Sequence, residues 1–243
     1  MANTASARIA DLKPGDGYVQ SFARGLEVIR SLSAKAPSQT LTEVAGRAGL
    51  SRAGARRILL TLEALGYVRS DGKLFSLSPR ILDLGFSYLS SMPIWNLAEP
   101  VMEALVAQVH ESSSAAVLDG TDIVYVLRVP TRKIMSISLG VGSRLPAYCT
   151  SMGRMLLSAL AQDDLMALLR ASDLATRTKT TLTDAKEIAA KVAQARRQGW
   201  SLVNQELEEG LISLAAPIVD RSGQMVAALN ISGQANRTSA RVM

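Results

Sequence analysis

The segment from Leu41 to Gly66, LTEVAGRAGLSRAGARRILLTLEALG, constrains this chain more than any other. Leu41, Val44, Ala45 and Ala48 recur at helical spacing and so form one apolar face of a short helix. Thr40, with Glu43 three residues on, is a capping box that starts it. Gly49 supplies the left-handed residue that a tight helix exit needs, and Ser51 is the N-cap of a second helix. In that helix Ala55, Ile58, Leu62 and Leu65 make the buried stripe, with Leu59 at its edge. The opposite face carries Arg52, Arg56, Arg57 and Thr61. Two helices packed through apolar stripes, with a basic face left over, are the pattern of a helix-turn-helix that enters a DNA groove.

Charge is distributed accordingly. Residues 1 to 80 hold twelve lysines and arginines against six acids, which accounts for the whole net charge of +6. Residues 81 to 243 hold fifteen of each. The segment with the helix-turn-helix pattern is thus the one suited to a polyphosphate partner. Past the second helix, 67–69 and 74–77 are strand candidates joined by Ser70-Asp71-Gly72-Lys73, and Asp-Gly is a strong hairpin signal. A hairpin directly after a recognition helix is a wing, with Arg69 and Lys73 placed to reach phosphate. Upstream, 21–33 sets Phe22, Leu26, Ile29 and Leu32 at helical spacing, a third helix to cover the other two. The pattern predicts a flexible arm over 1–17 and a winged helix-turn-helix over 18–77.

A length of 243 residues suggests two domains. Ser78-Pro79 is an N-cap followed by proline at the first helical position. The residues after it are apolar nearly all round the helix, which predicts a linker helix over 78–93 that needs more than one surface to bury it. From Ile94 the pattern alternates. Helices are expected at 97–109, 151–159, 163–169 and 184–198; strands are expected at 113–118, 123–129, 134–139, 200–205, 213–219 and 225–232. The fold class is therefore α+β: an N-terminal winged helix-turn-helix, a linker helix, and a second domain over 94–243 with an antiparallel sheet that can enclose a small molecule.

No apolar run is long enough for a membrane span, the N-terminus lacks the apolar centre of a secretory signal, and the one cysteine, Cys149, fits a reducing cytoplasm. A single histidine, His110, rules out a multi-histidine metal site. His110 and Cys149 share no motif and have no orienting third group, so a thiol and base pair is not indicated. Gly140-Val141-Gly142-Ser143-Arg144 lacks the third glycine of a dinucleotide fingerprint and reads as a strand end and turn. The glutamates of Gln205–Glu209 read as a solvated strand edge. No catalytic constellation, cofactor or metal site emerges, so an enzyme is disfavoured. An architectural DNA binder without an effector would leave the large neutral second domain unexplained.

Leu41-Thr42-Glu43-Val44-Ala45, Gly49-Leu50-Ser51, Arg57-Ile58-Leu59 and Gly66-Tyr67-Val68, with Leu145-Pro146-Ala147-Tyr148-Cys149-Thr150-Ser151-Met152-Gly153-Arg154 and Asn230-Ile231-Ser232-Gly233, resemble an IclR-type bacterial transcriptional regulator. The central block resembles the branch that controls aromatic-acid catabolism through the β-ketoadipate pathway. The resemblance implies a GAF-like second domain, a small organic acid as effector, and homodimers or tetramers on double-stranded operator DNA. Residue by residue, it implies that the effector's carboxylate meets backbone amides around Ser151 and Met152, at a helix start where an anion is favoured, with Ser213, Asn230 and Ser232 as polar walls. Where several relatives carry an acid, this chain has Val203, and relatives often show cysteine in place of Ser213; an aromatic acid suits the less polar wall. Relatives also continue into a closing helix, whereas this chain stops at Met243, either naturally short or trimmed. For DNA, Arg52, Gly54 and Arg56 are expected in the major groove, Thr61 beside them, and Ser51, Arg57, Arg69 and Lys73 on phosphates.

Overall fold

The computed structural model describes residues 17–33, 35–91, 94–131 and 139–237. The chain divides into two compact units, Met1–Ser91 and Met92–Met243.

In the first unit, helix α1 (Gln20–Ser31) packs on α2 (Leu41–Arg47) and α3 (Arg52–Ala64). Strands β1 (Ser38–Thr40), β2 (Val68–Ser70) and β3 (Leu74–Leu77) form an antiparallel sheet in the order β1-β3-β2. The capping box at α2 is formed: the Thr40 N–H donates to Glu43 Oε2 at 2.8 Å and the Glu43 N–H to Thr40 Oγ1 at 3.4 Å. That bonding holds the Glu43 carboxyl below its ordinary value. Gly49 adopts φ 64° at the turn, and Ser51 caps α3 by accepting from the Gly54 N–H at 3.1 Å.

The core of this unit is Val28, Leu32, Val44, Leu59, Leu62 and Val68. Two expected stripes are therefore rotated. Leu59 is fully buried whereas Leu65, in the C-cap position, is exposed. On α1, Val28 carries the packing while Phe22 and Leu26 face outward. After the wing, Ser78 caps a single 3₁₀ turn (Pro79–Ile81) that runs into α4 (Leu82–Ser90), no residue of which is buried. Met92 and Pro93, expected to end that helix, lie outside the described residues, as do 1–16 of the expected arm.

The second unit opens with α5 (Ile94–Val109) and is built on a sheet in the order β6-β5-β4-β9-β8-β7, antiparallel throughout. Its strands are β4 (Ser112–Asp119), β5 (Asp122–Val129), β6 (Arg144–Pro146), β7 (Ser201–Asn204), β8 (Leu211–Val219) and β9 (Met225–Gln234). The strand expected at 134–139 falls on residues outside the described set apart from Leu139, which is not in a strand. Among the described residues the edge strand beside β5 is β6, whose first residue, Arg144, closes the stretch read as a strand end and turn. Helix α6 (Ser151–Leu157) lies across the sheet and is wholly buried; α8 (Ala185–Gln198) packs beside it and α7 (Gln162–Ala171) on α8. Gly153 makes the close approach possible, because a Cβ there would stand 2.1 Å from the Ala147 carbonyl oxygen.

Candidate DNA and effector sites

In the first unit, Arg52 and Arg56 lie one turn apart on α3, as do Arg57 and Thr61, and all four are exposed. None of these arginines, nor Arg69 or Lys73 on the wing, is in an ion pair among the described residues. Arg69 sits opposite Ser76 in the hairpin and its Nε donates to Ser76 Oγ at 3.1 Å, which keeps the guanidinium on the wing surface. Asp71 closes the wing turn by accepting from the Lys73 and Leu74 N–H groups. Gly54 is half-buried under the Ser51 cap. Thr61 differs from the rest: its hydroxyl donates to the Arg57 carbonyl at 2.9 Å and is committed to its own helix. Helix face and wing together present uncompensated positive charge and unhindered donors, as phosphate and base edges require.

The second unit holds a cavity between the sheet and the start of α6. Ser151, Met152, Val203, Ser213, Asn230 and Ser232, the six residues expected at an effector site, all line it. Strand register explains how they meet. Ser112 pairs with Ser232, Ser232 with Ser213, and Ser213 with Val203, so one row crosses four strands on one face. Asn230 is fixed in that wall: its Oδ1 accepts from the Ser114 N–H at 3.1 Å and its Nδ2 donates to Ser232 Oγ at 2.8 Å. Ser151 is 1% exposed and its Oγ has no hydrogen-bond partner. A buried hydroxyl without a partner is costly, and this one borders the cavity.

The sequence reading missed nine further wall residues, among them Tyr125, Arg128, Cys149 and Leu207. Burial pushes the Tyr125 phenol up to about 12 and the Cys149 thiol up to about 11, so both are protonated at neutral pH. A thiol in that state is a poor nucleophile. The open volume is about 30 Å³, room for a water or two, while a cavity of about 150 Å³ admits a benzene ring. A ligand of that size has to displace side chains, for which the unbranched Met152 is suited.

Glu206 corrects the expectation of a solvated acidic edge. Its carboxylate takes a bidentate pair from Arg154, at 2.7 and 2.5 Å, and both residues are buried. Arg154 Nε also donates to the Tyr148 carbonyl, and Glu206 Oε2 accepts from the Leu182 N–H. Arg154 lies one turn past Ser151, and Glu206 lies between Val203 and Leu207, so the pair fastens the floor of the cavity to its wall.

A winged helix with a bare cationic face, joined in one chain to a sheet domain enclosing a polar-walled cavity, defines a ligand-responsive transcriptional regulator. The chain belongs to the IclR family: residues 21–72 match the IclR helix-turn-helix domain and residues 86–242 the bacterial transcriptional regulator IclR C-terminal domain. It is 45% identical to the Pca regulon regulatory protein of Pseudomonas putida, over 91% of this chain and 77% of that protein. It is 34% identical to the p-hydroxybenzoate hydroxylase transcriptional activator of Acinetobacter baylyi, over 91% and 84%. The crystal structure of a candidate transcriptional regulator from Rhodococcus sp. RHA1 superposes with a TM-score of 0.82 at 50% identity, covering 92% of this chain and 90% of the other. An IclR homolog from Microbacterium hydrocarbonoxydans, solved with 4-hydroxybenzoate, shares the fold at 23% identity, with a TM-score of 0.82 over 91% and 92%. Among the described residues no helix is long and apolar enough to cross a membrane.

Proposed function

We propose that this chain is a cytoplasmic, homo-oligomeric regulator whose second unit binds a small organic acid of aromatic catabolism and thereby sets the grip of the winged helix on operator DNA. The observation that carries the reading is the cavity, in which one sheet register gathers Ser112, Ser213, Asn230 and Ser232 against the start of α6. The less polar side, with Val203, Leu207 and Met152, suits an apolar body, and a relative solved with 4-hydroxybenzoate supports the ligand class. Arg52, Gly54 and Arg56 enter the major groove, and Ser51, Arg57, Arg69 and Lys73 hold phosphates; Thr61 contributes shape rather than a free donor. The outward Leu82, Phe86 and Tyr88 of α4, between 49% and 70% exposed, supply the apolar face for a second copy. The acid regulates only by binding one arrangement of the oligomer better than another.

Thermal shift with a panel of aromatic and dicarboxylic acids tests the reading. At least one acid is expected to raise the melting temperature and alter operator binding in a gel shift. Asn230→Leu is expected to abolish that response while unliganded DNA binding persists. A panel in which no acid moves the melting temperature removes the effector half of the proposal.

A further inference from the structure

Strand β7 is the last of its sheet among the described residues, and its register decides what its open edge offers. The Gln205 N–H donates to the Leu211 carbonyl at 2.7 Å, and bonding direction alternates along an antiparallel strand. Ser201 and Val203 therefore bond toward β8, opposite Ala215 and Ser213, while Leu202 and Asn204 turn their N–H and C=O groups outward. Those two residues form one wall of a groove of about 340 Å³; the other wall is the face of α8 with Lys191, Gln194 and Gln198. No residue lines both this groove and the effector cavity. Its volume falls within the range of roughly 300 to 1,000 Å³ usual for ligand pockets.

The walls are fixed by local bonding. Gly199, at φ 78°, ends α8 and turns the chain toward β7, and Gln198 Nε2 spans that turn by donating to the Trp200 carbonyl at 2.8 Å. Gln194 Nε2 in turn donates to Gln198 Oε1 at 3.3 Å. At the inner end Arg154 and Glu206 neutralise each other. That leaves Lys191, exposed and without an ion pair among the described residues, as the net charge of the groove. Only two residues of β7 face outward, and Gln205, at φ 60°, ends the edge, so the edge is too short to ladder with a peptide strand. Its two outward N–H groups stand about 7 Å apart, the spacing of alternate residues on a strand. We propose that the groove between β7 and α8 is a second ligand site, separate from the effector cavity, for a small organic acid whose carboxylate meets Lys191 and which carries a second acceptor about 7 Å away.

Isothermal titration of the full chain with adipate and hexanoate tests the assignment, with Asn230→Leu as the background in which the effector cavity is disabled. Adipate is expected to bind that variant more tightly than hexanoate, which lacks the second acceptor. Lys191→Glu in the same background is expected to weaken adipate roughly 10-fold or more, and Lys191→Arg to retain it. In otherwise wild-type protein, hydrogen exchange over 201–204 is expected to slow with adipate, and to stay fast in Lys191→Glu. Adipate that fails to bind Asn230→Leu, that binds Lys191→Glu as tightly, or that leaves exchange over 201–204 unchanged overturns the second site. Acid binding present in wild type and lost in Asn230→Leu removes the groove and leaves the effector reading in place; binding that depends on Lys191 alone does the reverse.

Discussion

The two units use arginine in opposite ways. On α3 and the wing, Arg52, Arg56, Arg57 and Arg69 are exposed and unpaired. In the second unit the guanidiniums that fold onto the body are answered: Arg154 by Glu206, Arg144 by Asp119 and Asp122, Arg196 by the carbonyls of Ser158 and Leu160. For Arg154 the difference follows from solvation; Arg144 and Arg196 are exposed and paired all the same. An exposed arginine loses little by standing alone and is free to meet phosphate, whereas one taken from water needs its counter-charge built in. Arg128 is the half-buried arginine that departs from this rule, and it borders the cavity.

The largest effect should come from breaking the buried pair. Glu206→Ala strands Arg154 and is expected to cost about 3 to 5 kcal/mol in chemical denaturation of the second unit. Adding Arg154→Met is expected to recover much of that loss, and a single variant as stable as wild type breaks the contrast. Next, Arg56→Ala or Arg52→Ala is expected to weaken operator binding by about 1 to 3 kcal/mol in a gel-shift titration while the melting temperature stays put. Unchanged affinity in both removes those side chains from the interface.

The last effect is protonic, confined to the cavity wall, and vanishes at neutral pH. The unfolded thiol ionises near 9 and the folded Cys149 near 11, and for Tyr125 the values are 10 and about 12. Between those values the unfolded chain gives up its proton first, so stability present below pH 9 is lost as pH rises. Denaturation at pH 10.5 should show a loss of about 2 to 3 kcal/mol relative to pH 8, most of it absent in Cys149→Ser.

What the sequence made legible was mostly local. A capping box, a glycine turn and a helix stripe each lie within a few residues, so α2, the turn and α3 read directly. Errors began where the partner was distant. Leu65 and Phe22 have helical spacing but no neighbour to cover them, which spacing alone does not reveal. Glu206 looked solvated because Arg154 is 52 positions away. The block around Ser151 and the Asn230-Ile231-Ser232 run were visible as motifs, yet their meeting with Ser112 depends on the register of β4 and β9. Arg128 was hidden by a bulge in β5, where Ala115 faces Leu127 and Ala116 faces Tyr125, leaving Val126 without a partner on β4; a strict alternation turns Arg128 away from Tyr125.

That bulge also decides which way β5 faces beyond it. A β5 paired without the bulge, with Val126 given a partner of its own on β4, would alternate strictly, turn Arg128 away from the face of Tyr125 and bring Leu127 there in its place. Which side chains such a domain turns toward its cavity is then partly a matter of counting along a strand.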